Sequence, residues 1–548
     1  MDRRSAIAAF IGRKNVAKSN VKHTSTLVTS LTPYTGQWTF AEAAHLLRRT
    51  TFGPTNADIK EAVDSGMDVT VQQLLTTEAM PSPPINFNFP DDPNTPIGET
   101  WINQPNDPTI PNLNTSRNVS LNGWQMGLMN EGGMNIREKL VLFWHNHFVT
   151  SDIILAMYNF DYLDTLRRNA LGNFRTLAEE ITVTSSMLLY LNGNENTRQA
   201  PNENFSRELL ELFTIGKGNP AGPGDYTNYT EDDVVELAKA LTGWRSRNVD
   251  GVVESVFVNS RHDTSDKQLS PRFDNKVITN EGNEEYKTVI DIILQQDETA
   301  RYLCRRLHIW FVGSNIDAAT EINVIEPMAA LIRDNNYEVK PALEALFKSE
   351  YFYQESIKGC MVNHPIDFVF KLFNTFEISL PENILLKYRA WVSIFRIMQS
   401  MDMHILGIPS VAGWKAFYQG PQYYDVWANS VSLPIRENII ETLLNGFNIG
   451  QQAIKLDVLS VVNKLENATD PIVLIETIAD TIFPFSISQG QRDFLKDVLI
   501  PGLPEFEWTV EYGEYLEEPD NPDKREGVET KLRALFEAML KMPEFYLI

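Results

Sequence analysis

Cysteine is nearly absent: Cys304 and Cys360 are the two thiols in 548 residues. That excludes a multi-bridge disulfide framework and any tetrathiolate zinc or iron–sulfur centre, while a single bridge stays open and the redox compartment unassigned. Positive charge is also scarce, with 48 Lys plus Arg against 72 Asp plus Glu and a net charge of −24. Such a body repels polyanions, which argues against a nucleic-acid binder or a clamp on anionic membranes. No apolar run approaches the roughly 18 residues needed to span a bilayer, so no transmembrane segment is expected. The Walker loop, Rossmann glycine fingerprint, Gly-x-Ser-x-Gly elbow, His-Glu-x-x-His helix and EF-hand loop are all missing. Nucleotide-dependent enzymes and standard α/β-hydrolases are therefore not leading readings. The Glu-x-x-His pairs of di-iron bundles are missing too at Glu211, which is followed three positions later by Thr214.

What is present is a long chain with 43% apolar residues, enough for a large buried core. Its charge is uneven, +5 over residues 1–22 and −29 over the rest. The opening Met1-Asp2-Arg3-Arg4-Ser5, followed by a seven-residue apolar stretch, resembles a reduced twin-arginine export signal. Residues 1–35 thus read as a basic tail with a vestigial export signal. Residues 36–548 read as a single large helical domain, with a subdivision near 380–440.

The expected fold class is predominantly α: a large multi-helix domain with long loops and a small β-hairpin insert around residues 251–280. Helices are expected over 134–149, over 160–190 with a break near Gly172, over 203–215, and from the capping pattern at Thr230 onward. Residues 80–115, crowded with Pro, Asn and Asp, read as a long surface loop packed by its own side chains or partly mobile, and 516–529 as an acidic loop.

Three segments carry groups with chemical potential. Glu138 to Phe148 (Glu-Lys-Leu-Val-Leu-Phe-Trp-His-Asn-His-Phe) is apolar in nearly every direction of a helical projection, so His145 and His147 must find partners when buried. Their i, i+2 spacing places them about 200° apart, which prevents joint ligation of one metal by a regular helix. His145, sharing a face with Glu138, ranks first for a metal or catalytic role, with Glu138 and His147 supporting it. In 202–213, Asn204, Arg207, Glu208 and Glu211 share a polar face opposite Phe205, Leu209, Leu212 and Phe213. The plain reading is a solvated stripe with an Arg207–Glu211 ion pair. The sharper one has Glu208 and Glu211 binding a divalent cation or dividing acid and base roles. His262-Asp263, after a strand-like run, could orient an imidazole as a general base or supply two metal ligands, although loops are polar in any case.

Taken in order, several pieces resemble one bacterial family, the domain of unknown function 1800 (DUF1800). They are His45-Leu46-Leu47-Arg48-Arg49 with Phe52-Gly53; Arg137-Glu138-Lys139 through Phe148; Asn202 to Leu212; Tyr229-Thr230 through Trp244; His262-Asp263 with Lys267; and Pro409 to Trp414 ahead of Trp427-Ala428-Asn429 and Arg436. The family is uncharacterised. The resemblance implies a mostly helical protein, periplasmic or secreted, often encoded beside a sulfatase- or phosphatase-like partner. A cytoplasmic location stays open because the apolar signal segment is short. Many members carry His where this chain has Phe213, so a metal site using that position would be lost or rebuilt here.

Two functional classes survive. In one, a metal-assisted hydrolase of an envelope or extracellular substrate such as a polysaccharide, His145, Glu208, Glu211, His262 and Asp263 converge in a cleft. His145, Glu208 and Glu211 then hold a divalent metal, and Arg207, Trp244 and Trp414 contact substrate. In the other, favoured reading, the chain is a non-catalytic interaction or scaffold protein for the exported sulfatase- or phosphatase-like partner. The same polar residues then form a buried network, and Trp144, Trp244, Trp414 and Trp427 stiffen the core or line a ligand groove.

Overall fold

A computed structural model describes residues 30–548; the twin-arginine-like opening and most of the basic tail lie outside the described residues. Helices dominate the described chain, and its strands occur only as two-stranded antiparallel hairpins. No helix among the described residues is long and apolar enough to cross a membrane.

Local chemistry sets many helix starts. The expected box at Thr230 forms: its hydroxyl accepts from Asp233 N, and Asp233 Oδ2 accepts from Thr230 N at 2.8 Å, opening the Glu231–Ala240 helix. Proline stands at the first helical position of Pro365–Thr375, Pro471–Ile482 and Pro522–Leu540, where its missing N–H costs no helical bond. Apolar side chains from helices along the described chain join one connected buried cluster.

Several expected boundaries change. Arg137–His147 is a helix, but 160–190 divides into Ala156–Arg168, Phe174–Thr182 and Ser185–Tyr190, with Asn173 capping the second. The Glu203–Glu208 helix runs into a π-helical turn, Leu209–Thr214. The hairpin insert begins earlier than residue 251, because Trp244–Val249 pairs with Val252–Phe257 through an Asp250-Gly251 turn in which both residues have positive φ. That turn chemistry is a strong hairpin signal. A smaller pair, Lys267–Gln268 with Val277–Ile278, follows.

The acidic stretch 516–529 is largely helical, belonging to Phe506–Glu517 and Pro522–Leu540, and Phe447–Ile449 pairs with Gln452–Ile454 where only helix was expected. The 80–115 segment is a packed loop: Phe87 and Trp101 are buried, and Asp92 pairs with buried Arg117 at 2.9 Å. It leads into an unanticipated helix, Leu113–Asn130, rich in Asn, Ser and Gly. Weak propensity there is overridden by packing against Ile384–Ser400, where Gly127 lies so close to the Trp391 indole that a Cβ would collide with it.

Candidate functional site

The Arg137–His147 helix is buried along Glu138–His147, so each of its polar side chains must be satisfied from neighbouring elements. Glu138 receives a bidentate Arg167 guanidinium at 2.8 Å on both oxygens and a Gln125 amide at 3.2 Å. Burial opposes its charge, but Arg167 and then Arg137 hold its carboxyl below the usual range. Arg167 also lies over the Trp124 ring at 4.7 Å.

His145 is committed on both nitrogens. Nε2 accepts from Leu406 N at 2.9 Å, which places the proton on Nδ1, and Nδ1–H donates to the Tyr162 hydroxyl at 2.8 Å. The Tyr162 hydroxyl in turn donates to Phe148 O at 2.7 Å. Burial, with His404 nearby, pushes the His145 pKa down to about 3, so the ring is neutral. Asn146 works beside it: its Oδ1 accepts from Trp414 N at 2.8 Å, and a Cβ on Gly413 (φ 101°) would collide with that same oxygen. His147 faces elsewhere and donates from Nε2 to Phe213 O at 2.8 Å, tying this helix to the π-helical turn.

The partners Leu406 and Trp414 belong to one loop, which forms a cleft of about 340 Å³ lined by His404, Trp414, Lys415, Val426, Trp427 and Asn429 among others. Leu406 sits at φ 64°, a strained conformation for a leucine, and its amide is held by His145 while its carbonyl accepts from Asp152 N at 3.3 Å. Two motifs of the sequence therefore meet: the Trp-His-Asn-His helix supplies the bonds that shape the Trp414 loop. Trp414 and Trp427 are buried, and their indole N–H groups have no partner among the described residues.

The other sequence candidates lie on separate elements. Glu208 and Glu211 flank the entry to the π-helical turn. Glu208 is half-buried with no cation within 4 Å among the described residues, and burial followed by Glu211 raises its pKa. Glu211 pairs with Lys217 at 3.2 Å and accepts from Tyr229 Oη at 3.1 Å, whereas Arg207 turns to Glu203 and Glu231. The plain Arg207–Glu211 pair of the sequence reading is thus replaced. Asn204 lies in the first turn of the Glu203–Glu208 helix, its backbone N–H donating to the Oδ1 of the N-cap Asn202.

His262 is buried between the Thr242 carbonyl, 2.9 Å from Nδ1, and Glu285 Oε2, 2.9 Å from Nε2. Burial works against its charge, but the Glu285 and Thr242 bonds outweigh it and raise its pKa. Lys267 completes the triad by an ion pair to Glu285 at 2.5 Å. The Asp263 carboxylate turns away to cap Ser265. Trp244, half-buried in the hairpin, packs on Phe257 and Tyr286 rather than on the 340 Å³ cleft.

Among the described residues no group of three or more His, Cys, Asp or Glu is placed to hold a metal ion. Cys304 is buried, Cys360 is exposed, and both are free thiols. Sequence reasoning missed Asn146, His404 and Lys415; Asn146 was legible in principle, as the polar residue between two motif histidines.

A family model described as "Protein of unknown function (DUF1800)" matches residues 45–547, nearly the whole chain. No curated protein and no solved structure matches the chain.

Proposed function

We propose that this chain, which belongs to the DUF1800 family, is a non-catalytic interaction or scaffold protein that uses the 401–429 cleft as its contact surface. One observation carries the reading: His145 and Asn146 spend their hydrogen-bonding groups on Leu406 and Trp414, shaping a binding loop and leaving no free lone pair on the imidazole. A neutral, doubly bonded imidazole is a positioning group, and a metal ligand needs the lone pair that Leu406 N occupies. The cleft supplies indoles, His404 and Lys415, a mixture suited to a polar ligand or a partner loop. The partner proposed from the family resemblance is an exported sulfatase- or phosphatase-like protein.

Co-purification tests this. The full chain is expressed with the neighbouring sulfatase- or phosphatase-like protein, as wild type and with Lys415→Glu and Val426→Asp. Loss of a wild-type complex in the cleft variants, with thermal stability retained, is expected. A complex unaffected by both substitutions, or no complex at all, overturns the reading.

A metal-assisted hydrolase is the second reading. Its support is Glu211 on the π-helical turn, a distortion often found at functional sites, with Glu208 just before it having no ion pair among the described residues and a raised pKa. Glu208→Gln should then abolish divalent-cation-dependent hydrolysis.

A further inference from the structure

Five basic side chains converge where four helices meet: Arg48 and Arg49 from Phe40–Thr50, Lys139 from Arg137–His147, Lys371 from Pro365–Thr375 and Arg436 from Ser432–Asn445. All five are buried. Among the described residues only Lys139 of the five has a carboxylate within ion-pair distance, that of Asp367, whose second oxygen accepts from His364 Nε2 at 3.0 Å. The other four cations spend donors on neutral acceptors. Arg48 donates to the carbonyls of Asp480 and Thr481, and Arg49 to Ile357 O at 2.7 Å. Lys371 donates to Phe545 O at 3.0 Å, and Arg436 to Asn363 Oδ1 and O. The Nε–H groups of Arg48, Arg49 and Arg436 are buried without a partner among the described residues.

Two adjoining cavities open in this cluster. One, of about 10 Å³, is lined by Arg48, Lys371, Asn363 and Asp367; the other, of about 20 Å³, by Arg49, Lys139, His364, Asn363 and Asp367. Ile548 touches both. Even with the Asp480 carboxyl near Arg48 counted beside Asp367, five basic side chains share two carboxyl groups. Buried like charges without counter-charge are costly, and N–H groups aimed at no acceptor add to that cost.

We propose that these cavities bind a small inorganic anion of halide size. Their volumes admit about one water-sized particle, so a halide enters only with a slight outward shift of the walls and a sulfate or phosphate only with a large one. The donors are all N–H groups, suited to a spherical acceptor. Trp427, whose indole N–H is unpartnered, lines both the 20 Å³ cavity and the 340 Å³ cleft, so the anion would sit directly behind the proposed contact surface. Burial, and next Arg48, pushes Lys371 well below the usual lysine range, so an anion would restore its charge.

The test uses the full chain and two probes. Chloride is titrated against gluconate at constant ionic strength, and the expected rise in Tm is about 1–3 °C per tenfold increase above Kd. Lys371→Met should remove that dependence. Crystals soaked in bromide should show an anomalous peak in the cavity beside Arg48 and Lys371 or in the one beside Arg49 and Lys139, a readout that stands even if the variant fails to fold. Empty cavities at saturating bromide overturn the proposal. So does a bromide peak with a chloride-independent Tm, which would mark an adventitious ion only, and so does stabilisation by phosphate but not by chloride.

Discussion

Replacing His145 by alanine removes an imidazole that is bonded on both sides, and its consequences can be worked from the geometry. On one side Leu406 N loses its acceptor, in a residue whose left-handed backbone carries about 1–3 kcal/mol of strain. On the other the Tyr162 hydroxyl loses a donor but keeps its own bond to Phe148 O. Two lost bonds at about 1 kcal/mol each, with the cavity left by a buried ring, give a global loss of about 3–5 kcal/mol. The local effect is the sharper one. With Leu406 released, residues 401–431 should open more readily than the core. Amide hydrogen exchange there should quicken at least about tenfold beyond any change in the Ala156–Arg168 helix, a factor worth about 1.4 kcal/mol.

Asn146→Ala should act in the same direction through Trp414 N, and His145→Phe, which refills the volume, should retain the loop effect with a smaller global loss. Exchange mass spectrometry on the three variants, beside urea unfolding, separates the two effects. If stability falls while 401–431 exchanges in step with the core, His145 merely packs, and the argument that it shapes the cleft fails.

Further outcomes follow from other buried groups. Glu138→Gln or Arg167→Met breaks a buried ion pair by removing one partner and should cost about 3–5 kcal/mol in urea unfolding; a cost below about 1 kcal/mol would show that water reaches the site. Gly413→Ala forces a Cβ onto Asn146 and a positive φ onto alanine, and should lower Tm while quickening exchange at Trp414; an unchanged Tm would contradict the close approach. Burial, the largest cause for each, pushes His145 and His147 down to about 3 and His308 and His364 to about 4.

These four imidazoles take up protons more readily when unfolded. Their contribution is present above about pH 6.5 and is lost on acidification, at up to about 1.4 kcal/mol per pH unit for each. His262 has the opposite sign, since its raised pKa stabilises below about pH 6.5 and that contribution is lost as pH rises through its folded value. Urea midpoints that stay constant between about pH 7.5 and 5 would contradict the net prediction.

The helical class was legible because burial periodicity and caps such as Thr230 are local signals. The Leu113–Asn130 helix was not, since its composition disfavours helix and its packing against Ile384–Ser400, with Trp391 against Gly127, comes from far along the chain. The need for partners at His145 and His147 was legible from their all-round apolar helix, but the partners were not. Leu406 lies 261 positions away from His145. The buried cation cluster was hidden for the same reason, its members being scattered from Arg48 to Arg436 with no spacing that links them. Asp263 beside His262 was the opposite case, adjacent in sequence while Glu285, which bonds the imidazole, sits on a distant helix.

The central claim is that the polar motif residues hold a contact loop and one another rather than a catalytic metal. Metal content of the purified full chain, measured by inductively coupled plasma mass spectrometry beside His145→Ala and Glu208→Ala, tests it most directly. The account predicts no stoichiometric divalent cation in any of the three proteins. A cation at one equivalent in the wild type that disappears in either variant while the fold persists would contradict it.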